Sequence, residues 1–351
     1  MGIKQFSKAF TAGRIVKWSD LQGKRIAVDA MTEIYRASLG ARRLNLLTDH
    51  MGRPTLYINV IIANLIQMEK NNIKQIWVFD HDASNGEYNP IKVMELTKRR
   101  EQKRKVKEKI QKARESLAAV NNALTEEEML FSDDDSDDDD GDDDGNNNVD
   151  SVQNTIDRLT KQTYTVSNRE IADIKFILNC LGISWVDAPK AYEGEHIAAY
   201  LSKIGVVDGV YSSDTDPIPF GATTLWRKNL RDKKIYEYNL NDILQSHDLT
   251  IKELRKVCVI LGCDFAPKTK RIGPKTVFKK LHNTLLTTEQ QAAIGEFSKT
   301  DDAELDITIH NEDIVAFSNK ELFDKLIQWL VIEKDFSRSR MLKRFKNIIK
   351  N

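Results

Sequence analysis

The chain has 351 residues, 40% of them apolar, with 53 basic and 53 acidic side chains. That length suits one large domain or two ordinary ones, with enough core to need no staples. No apolar run approaches the roughly 20 residues of a membrane span. The opening Met1-Gly2-Ile3-Lys4-Gln5-Phe6 lacks the apolar stretch of a signal peptide and, with Phe6 in place of Ser or Thr, a myristoylation signal. Cys180, Cys258 and Cys263 are too few for a disulfide framework and lack zinc spacing, so an intracellular, reducing setting without structural zinc is expected.

The balanced net charge hides a division. Residues 126–150 hold fourteen acids and no Lys or Arg, which leaves 53 basic against 39 acidic residues on the rest of the chain. A body with that surplus suits a polyanionic partner, most simply nucleic acid. The acidic window has almost nothing to build a core from and is expected to be disordered.

In chain order, Lys24 to Ala30 reads as a strand ending in Asp29. Thr55 to Lys70 reads as a helix, with Leu56, Val60, Ala63, Ile66 and Gln67 near one face. Ile73 to Asp80 is a second strand ending in an acid. Lys92 to Asn121 is a charged helical stretch without Gly or Pro. Its Lys98–Arg114 part, which includes Lys98, Arg99, Arg100, Lys103 and Arg104, has ten basic residues against two acidic ones. Such a stretch can be a plain solvated helix, but phosphate neutralisation is the other use of this much positive charge. A polar segment runs on to about Tyr164. Arg169 to Leu181 then reads as a helix, Ile183 to Val186 as a strand, Tyr192 to Ile204 as a helix and Val206 to Tyr211 as a strand running into Ser212-Ser213-Asp214-Thr215-Asp216. Leu225 to Asn229 and Lys234 to Tyr238 form a hairpin across Arg231-Asp232, and the chain is mainly helical from Ile251. Strands separated by helices predict an α/β fold, a mostly parallel central sheet with helices on both faces.

In open α/β sheets, sites form at the carboxyl ends of strands. Asp29, Asp80, Asp214 and Asp216 fall there, although each alone is equally a turn or cap residue. Asp214 and Asp216 share a side if that stretch is extended. Glu193 and Glu195 lie at a helix start and Asp264 follows Leu261-Gly262-Cys263. On a regular helix Glu193 and Glu195 do not share a face, so they converge only if the helix begins between them. Seven carboxylates brought together cannot all stay ionised without cations. An oxygen-only donor set selects Mg²⁺ or Mn²⁺, and two such ions about 4 Å apart are the usual apparatus for displacement at a phosphodiester. A phosphate-directed cation from the Lys92–Arg99 region would complete the site. Further on, an apolar helix leads through Gly262 to Ile272-Gly273-Pro274-Lys275 and a second helix. The helix start, with Lys275, Lys279 and Lys280, is a candidate phosphate cradle, and Pro274 suits its first position. An ordinary helical hairpin would read the same way.

In their order these segments resemble the flap endonucleases of the structure-specific 5′ nuclease superfamily. The resemblance rests on MGI at 1–3, VDAMTEIY at 28–35, VFD at 78–80, KVMELTKRREQKRK at 92–105 and LGISWVDAPKAYEGEHIAAYL at 181–201. It continues with SSDTD at 212–216, LGCD at 261–264, IGPK at 272–275 and EKDFSRSRMLKRF at 333–345. It implies a nuclease core in residues 1–91 and 166–351, and a helical arch in 92–165 that holds the acidic insert 126–150. A helix–two-turn–helix is implied in 251–285, in the family with a K⁺ ion. Asp29, Asp80, Glu193, Glu195, Asp214, Asp216 and Asp264 match the family's metal-site acids. Lys92 and Arg99 match its scissile-phosphate cations, Tyr35 a base-stacking aromatic, and Gly2 the glycine beside the site. Gly273, Lys275 and Lys279 fall in the duplex-gripping hairpin.

The implied activity is two-Mg²⁺ cleavage of branched DNA near a 5′ single-stranded flap, with 5′–3′ exonuclease action. The chain is expected to act as a monomer wherever DNA is replicated, away from membranes. A bubble-cutting or four-way-junction nuclease is the sibling alternative, and an inert junction-binding scaffold is the alternative of another class. The sequence also departs from the family. Arg271 stands where glycine is usual before Ile-Gly-Pro, the turn after Asp80 is His81-Asp82-Ala83-Ser84-Asn85 with extra residues, and Pro217 and Pro219 stiffen the loop after Asp216. No Gln-x-x-Leu-x-x-Phe-Phe segment follows Phe345, so docking to a sliding clamp has no support. The acidic insert either solubilises the surface or occupies the basic arch helix when DNA is absent.

Overall fold

The computed structural model describes residues 2–11, 13–41, 47–81, 90–130, 144–229, 232–346 and 348. Its strands are β1 (Arg14–Val16), β2 (Arg25–Asp29), β3 (Lys74–Phe79), β4 (Ser184–Asp187), β5 (Gly209–Ser212), β6 (Thr224–Lys228) and β7 (Ile235–Asn239). Its helices are α1 (Phe6–Ala9), α2 (Ala30–Ala41), α3 (Leu56–Lys70), α4 (Pro90–Leu130), α5 (Asp144–Thr163), α6 (Asn168–Leu181), α7 (Gly194–Lys203), α8 (Leu240–His247), α9 (Ile251–Leu261), α10 (Val277–Lys280), α11 (Thr288–Phe297), α12 (Lys320–Ile332) and α13 (Arg338–Phe345). Among the described residues no helix is long and apolar enough to cross a membrane.

The chain divides into two units, one of residues 1–89 with 166–351 and one of residues 90–165. In the first, a seven-stranded sheet runs in the order β1-β7-β6-β5-β2-β3-β4. The five strands β6, β5, β2, β3 and β4 are mutually parallel, and β7 and β1 add an antiparallel edge. The period of two along each strand sends side chains to two cores. Ile26, Val28, Trp77, Phe79, Tyr211 and Trp226 enter one beside α2, α3, α6 and α12. Ala27, Ile76, Val78, Val186, Val210 and Leu225 enter the other beside α7, α9 and α11. Both faces are covered, as the strand–helix alternation predicts.

Several boundaries differ from the sequence reading. The buried face of α3 is Tyr57, Ile58, Ile61, Ile62, Leu65, Ile66 and Met68, because this helix is apolar almost all round and packing chooses the stripe. Leu56, Val60 and Ala63 lie at its margin and Gln67 is exposed. The 225–238 hairpin is present as β6 and β7 in antiparallel register, while Arg231 lies outside the described residues.

In the second unit, α4 and α5 pack on each other, with Ile110, Ile156 and Tyr164 buried. The acidic window is not wholly irregular, for residues 126–130 end α4 and residues 144–150 open α5. Its remainder, 131–143, lies outside the described residues, as do Asp82, Ala83, Ser84 and Asn85 of the altered turn.

Candidate active site

Because β5, β2 and β3 are parallel neighbours, their carboxyl ends open on one side, with Asp29 registered against Val78 and Val28 against Tyr211. Asp29 ends β2 and is buried, with Thr32 N–H donating to its Oδ1 (3.0 Å) and Ser212 Oγ to its Oδ2 (2.7 Å). The same Ser212 Oγ accepts from Asp214 N–H (3.0 Å), so one hydroxyl ties the ends of β2 and β5. Asp214 Oδ1 accepts from Thr215 N–H (2.6 Å), and Thr215 Oγ1 accepts from Ile3 N–H (2.9 Å), which draws the amino-terminal segment across the site. The Arg227 guanidinium closes this loop from outside, donating to Ser213 O (3.0 Å) and to Ser7 Oγ (3.1 Å).

Asp214 and Asp216 converge, but on a turn and not on extended chain. Gly2 locates them: with φ at 81°, a Cβ there would fall 1.7 Å from Asp214 Oδ1 and 2.7 Å from Asp216 Oδ1. Only glycine fits both the dihedral and the space. Lys4 N–H donates to Gly262 O (2.8 Å), joining the same segment to the end of α9, after which Asp264 follows.

Glu193 is the residue before α7, with extended backbone (φ −101°, ψ 160°), and Glu195 lies in the first helical turn. The helix therefore begins between them, which is the condition under which residues two apart converge. Gly194 N–H donates to Asp80 Oδ1 (2.8 Å), docking α7 on the end of β3. A Cβ at Gly194 would stand 3.3 Å from the Val78 carbonyl.

The electrostatics bind the seven acids into one group. Burial pushes Asp29 up, and Asp80 adds repulsion. Burial likewise pushes Glu195 well up, reinforced by Asp214, Asp216, Asp29 and Glu193. Asp216 is raised by burial and by Asp214, Asp264 and Glu193. Asp214 is pushed up to about 6, chiefly by burial, with Asp264 adding repulsion.

A divalent cation suits this set of oxygens. Asp216 Oδ1 is buried with no hydrogen-bond partner, the acids are destabilised as anions by one another, and the missing Gly2 side chain keeps space open against two of them. Among the described residues no three acids are already drawn into a coordination shell.

The other expected residues are carried by other elements. Tyr35 is half-buried on α2. Arg99, half-buried, and the exposed Lys98, Arg100 and Arg104 are on α4, and the side chain of Lys92 lies outside the described residues. Lys103 is already engaged, donating to Thr165 Oγ1 (2.6 Å) and Tyr164 O (3.3 Å). Beyond α9, Lys275 and Lys279 are exposed. The second helix starts at Val277, later than Pro274 suggests, and Gly273 N–H is held by Thr276 Oγ1 (3.0 Å). Arg271 adopts φ 61°, a left-handed backbone without the residue best suited to it.

The positioning residues Ser212, Thr215, Thr32, Gly194 and Arg227 escape a reading of motifs. Ser212 and Thr215 sit inside SSDTD but carry no signal of their role without the partners they hold.

The family model described as the XPG N-terminal domain matches residues 1–106, and the XPG I-region model matches residues 182–264. Together they span more than half of the chain and six of the seven acids lie at 29–216 within them, with Asp264 at the end of the second. This chain belongs to the XPG family of 5′ nucleases. It resembles flap endonuclease 1 of Leishmania major, 28% identical over 359 residues that cover 96% of this chain and 80% of that one. The flap endonuclease-1 structure from Methanococcus jannaschii superposes with a TM-score of 0.64 at 21% identity, covering 98% of this chain and 97% of that one. The catalytic core of Rad2 in complex with DNA substrate gives 0.61 at 16% identity, covering 99% of this chain and all of that one (100%). The likeness in fold to these structures covers nearly the whole of this chain.

Proposed function

We propose that this chain is a structure-specific 5′ flap endonuclease that hydrolyses DNA phosphodiesters near a single-strand/duplex junction, with 5′–3′ exonuclease action, during replication and repair. The observation that carries the reading is the group of seven mutually repelling carboxylates at the carboxyl end of the parallel sheet. The buried Asp29, Asp214 and Asp216, the half-buried Asp80, Glu193 and Glu195 and the exposed Asp264 would hold two Mg²⁺, for which Mn²⁺ can substitute. When bound, such ions lower the pKa of water and stabilise the attacking and leaving oxygens.

The protein's own contribution is placement. Ser212 and Thr32 hold Asp29, Thr215 holds Asp214, and Gly194 N–H holds Asp80, so the donors need little rearrangement. Lys92 and Arg99 contact the scissile phosphate and Tyr35 stacks on a base beside the cut. Lys98, Arg100 and Arg104 neutralise backbone phosphates of the 5′ strand along the arch. Gly273, Lys275 and Lys279 meet the downstream duplex, with a K⁺ ion at the hairpin. The enzyme acts as a monomer wherever DNA is replicated.

The deciding measurement is cleavage of a 5′-labelled double-flap DNA in Mg²⁺, beside bubble, four-way-junction and blunt duplex substrates, with EDTA and Asp214→Ala controls. Incision near the flap base that both controls abolish supports the proposal. Preference for the bubble or the four-way junction reassigns the substrate within the family, and binding without cutting means an inert scaffold.

A further inference from the structure

The start of α7 has a second support that the metal-site acids do not explain. His196 is fully buried at the third position of α7, packed 4.2 Å from the Phe220 ring centroid. Its Nδ1 accepts from Glu193 N–H (3.2 Å), which assigns the ring proton to Nε2. Nε2 is buried and faces the Glu296 carboxylate on α11 at 3.4 Å, a close electrostatic contact outside hydrogen-bond geometry. Glu296 is itself paired with Lys299 (2.9 Å), and the Lys299 ammonium also donates to Ala191 O (2.5 Å). Ala191 sits at φ 74°, a conformation that an alanine adopts only when held. Burial opposes ionisation of Glu296, yet His196 and Lys299 bring its carboxyl down to about 2, so it is an anion throughout the working range.

The helix that carries Glu296 is anchored independently. At its other end the buried Gln290 amide donates to Val259 O (3.2 Å), Pro267 O (3.2 Å) and Thr269 Oγ1 (2.9 Å), fixing α11 on the end of α9. From that base Lys299, two residues beyond the end of α11, holds the carbonyl two residues before Glu193, and Glu296 on α11 faces the histidine that caps the Glu193 amide. Convergence of Glu193 and Glu195 requires the helix to begin between them, and the Glu193 amide is the group whose capping sets that start.

We propose that Glu296, acting through His196 and together with Lys299, is a positioning device that sets the backbone of Glu193 and Glu195 for divalent-ion binding. It rests on the reading of those two glutamates as metal-holding residues.

The test uses the full chain, with Mn²⁺ as the probe and electron paramagnetic resonance to count free ion. Partners that orient metal ligands from behind are commonly worth about tenfold or more in affinity. Glu296→Ala is accordingly expected to weaken Mn²⁺ binding about tenfold and to raise the Mg²⁺ needed for half-maximal flap cleavage in parallel, while KM for flap DNA stays within about twofold. Glu296→Gln keeps an oxygen facing Nε2–H and is expected to recover most of the affinity. If Glu296→Ala does not fold, Lys299→Met, which releases the Ala191 carbonyl, is read the same way against Glu296→Gln. Wild-type Mn²⁺ binding with equal affinity in Glu296→Ala or Lys299→Met overturns this inference alone. A wild-type chain that takes up no Mn²⁺ overturns the functional reading and this inference with it.

Discussion

The acid-bearing end of the sheet and the helical unit of residues 90–165 treat charge in opposite ways. At the sheet, like charges are gathered where water is scarce, and Asp29 and Asp80 are fastened by hydrogen bonds to distant parts of the chain. Along α4, charges of both signs are exposed and paired locally, as in Arg104 with Glu108 (2.5 Å) and Lys105 with Glu101 (2.9 Å), each four residues apart. Pairs of that kind are worth only a few tenths of a kcal/mol. The first arrangement stores electrostatic tension for a ligand of fixed geometry. The second offers a field that salt can screen and a flexible backbone can follow.

The sharpest break would come from Asp216→Asn. With the donor set incomplete, flap cleavage should fall by about 10³-fold or more. Metal-free thermal stability should rise at the same time, because a repelling buried anion has gone, and differential scanning fluorimetry in EDTA reads it. Next in size is Gly2→Ala. Its Cβ would overlap Asp214 Oδ1, so a loss of about 10²-fold in kcat is expected, since small misplacements at a reacting centre cost that much, with circular dichroism unchanged.

The pH response of the metal-free chain sharpens the contrast further. An Asp214 pushed up to about 6 keeps its proton in the folded state where the unfolded chain has lost it. Its contribution to stability is therefore complete below about pH 4 and lost as pH rises through about 6. Melting temperature in EDTA should fall between about pH 4 and 6 and level off above. Asp214→Asn should flatten that slope, and a slope unchanged by the substitution would assign the effect elsewhere.

On the helical unit the expected effects are smaller and differ in kind. Arg100→Ala should weaken flap-DNA binding severalfold and reduce the slope of log affinity against log salt by about one. Lys103→Ala, which releases Thr165 and Tyr164, should act mainly on stability. Equal salt slopes in the two variants would erase the distinction drawn from their contacts. Smallest of all, Arg271→Gly should raise the melting temperature by about 2 °C by removing a left-handed non-glycine residue.

The sequence carried the parallel sheet well, because Ile26 to Asp29 and Ile76 to Phe79 are short apolar runs bounded by turn residues and separated by helical spacing. Its carboxyl-end acids followed from that. Strand β1 was not legible, since Arg14-Ile15-Val16 has one buried side chain and exists through its pairing with β7. The wrong stripe on α3 has the opposite cause, a surplus of apolar residues that leaves periodicity undecided. At the site, the residue types that bear charge could be picked out, but those that aim them could not. Glu296 lies a hundred residues from His196 in sequence, and no local pattern marks a glutamate whose partner is so remote.

The order of the strands has a consequence for how the enzyme comes into being. The acids arrive from β2, β3, the start of α7, the end of β5 and the end of α9, so almost the whole sheet must be assembled before they share one space. Contacts of such long sequence separation form late and slowly. A chain still emerging from the ribosome, or one that has lost its carboxyl-terminal half to proteolysis, carries the basic helix α4 but only a fraction of the donors. The topology thereby reserves the complete set of acids for finished molecules.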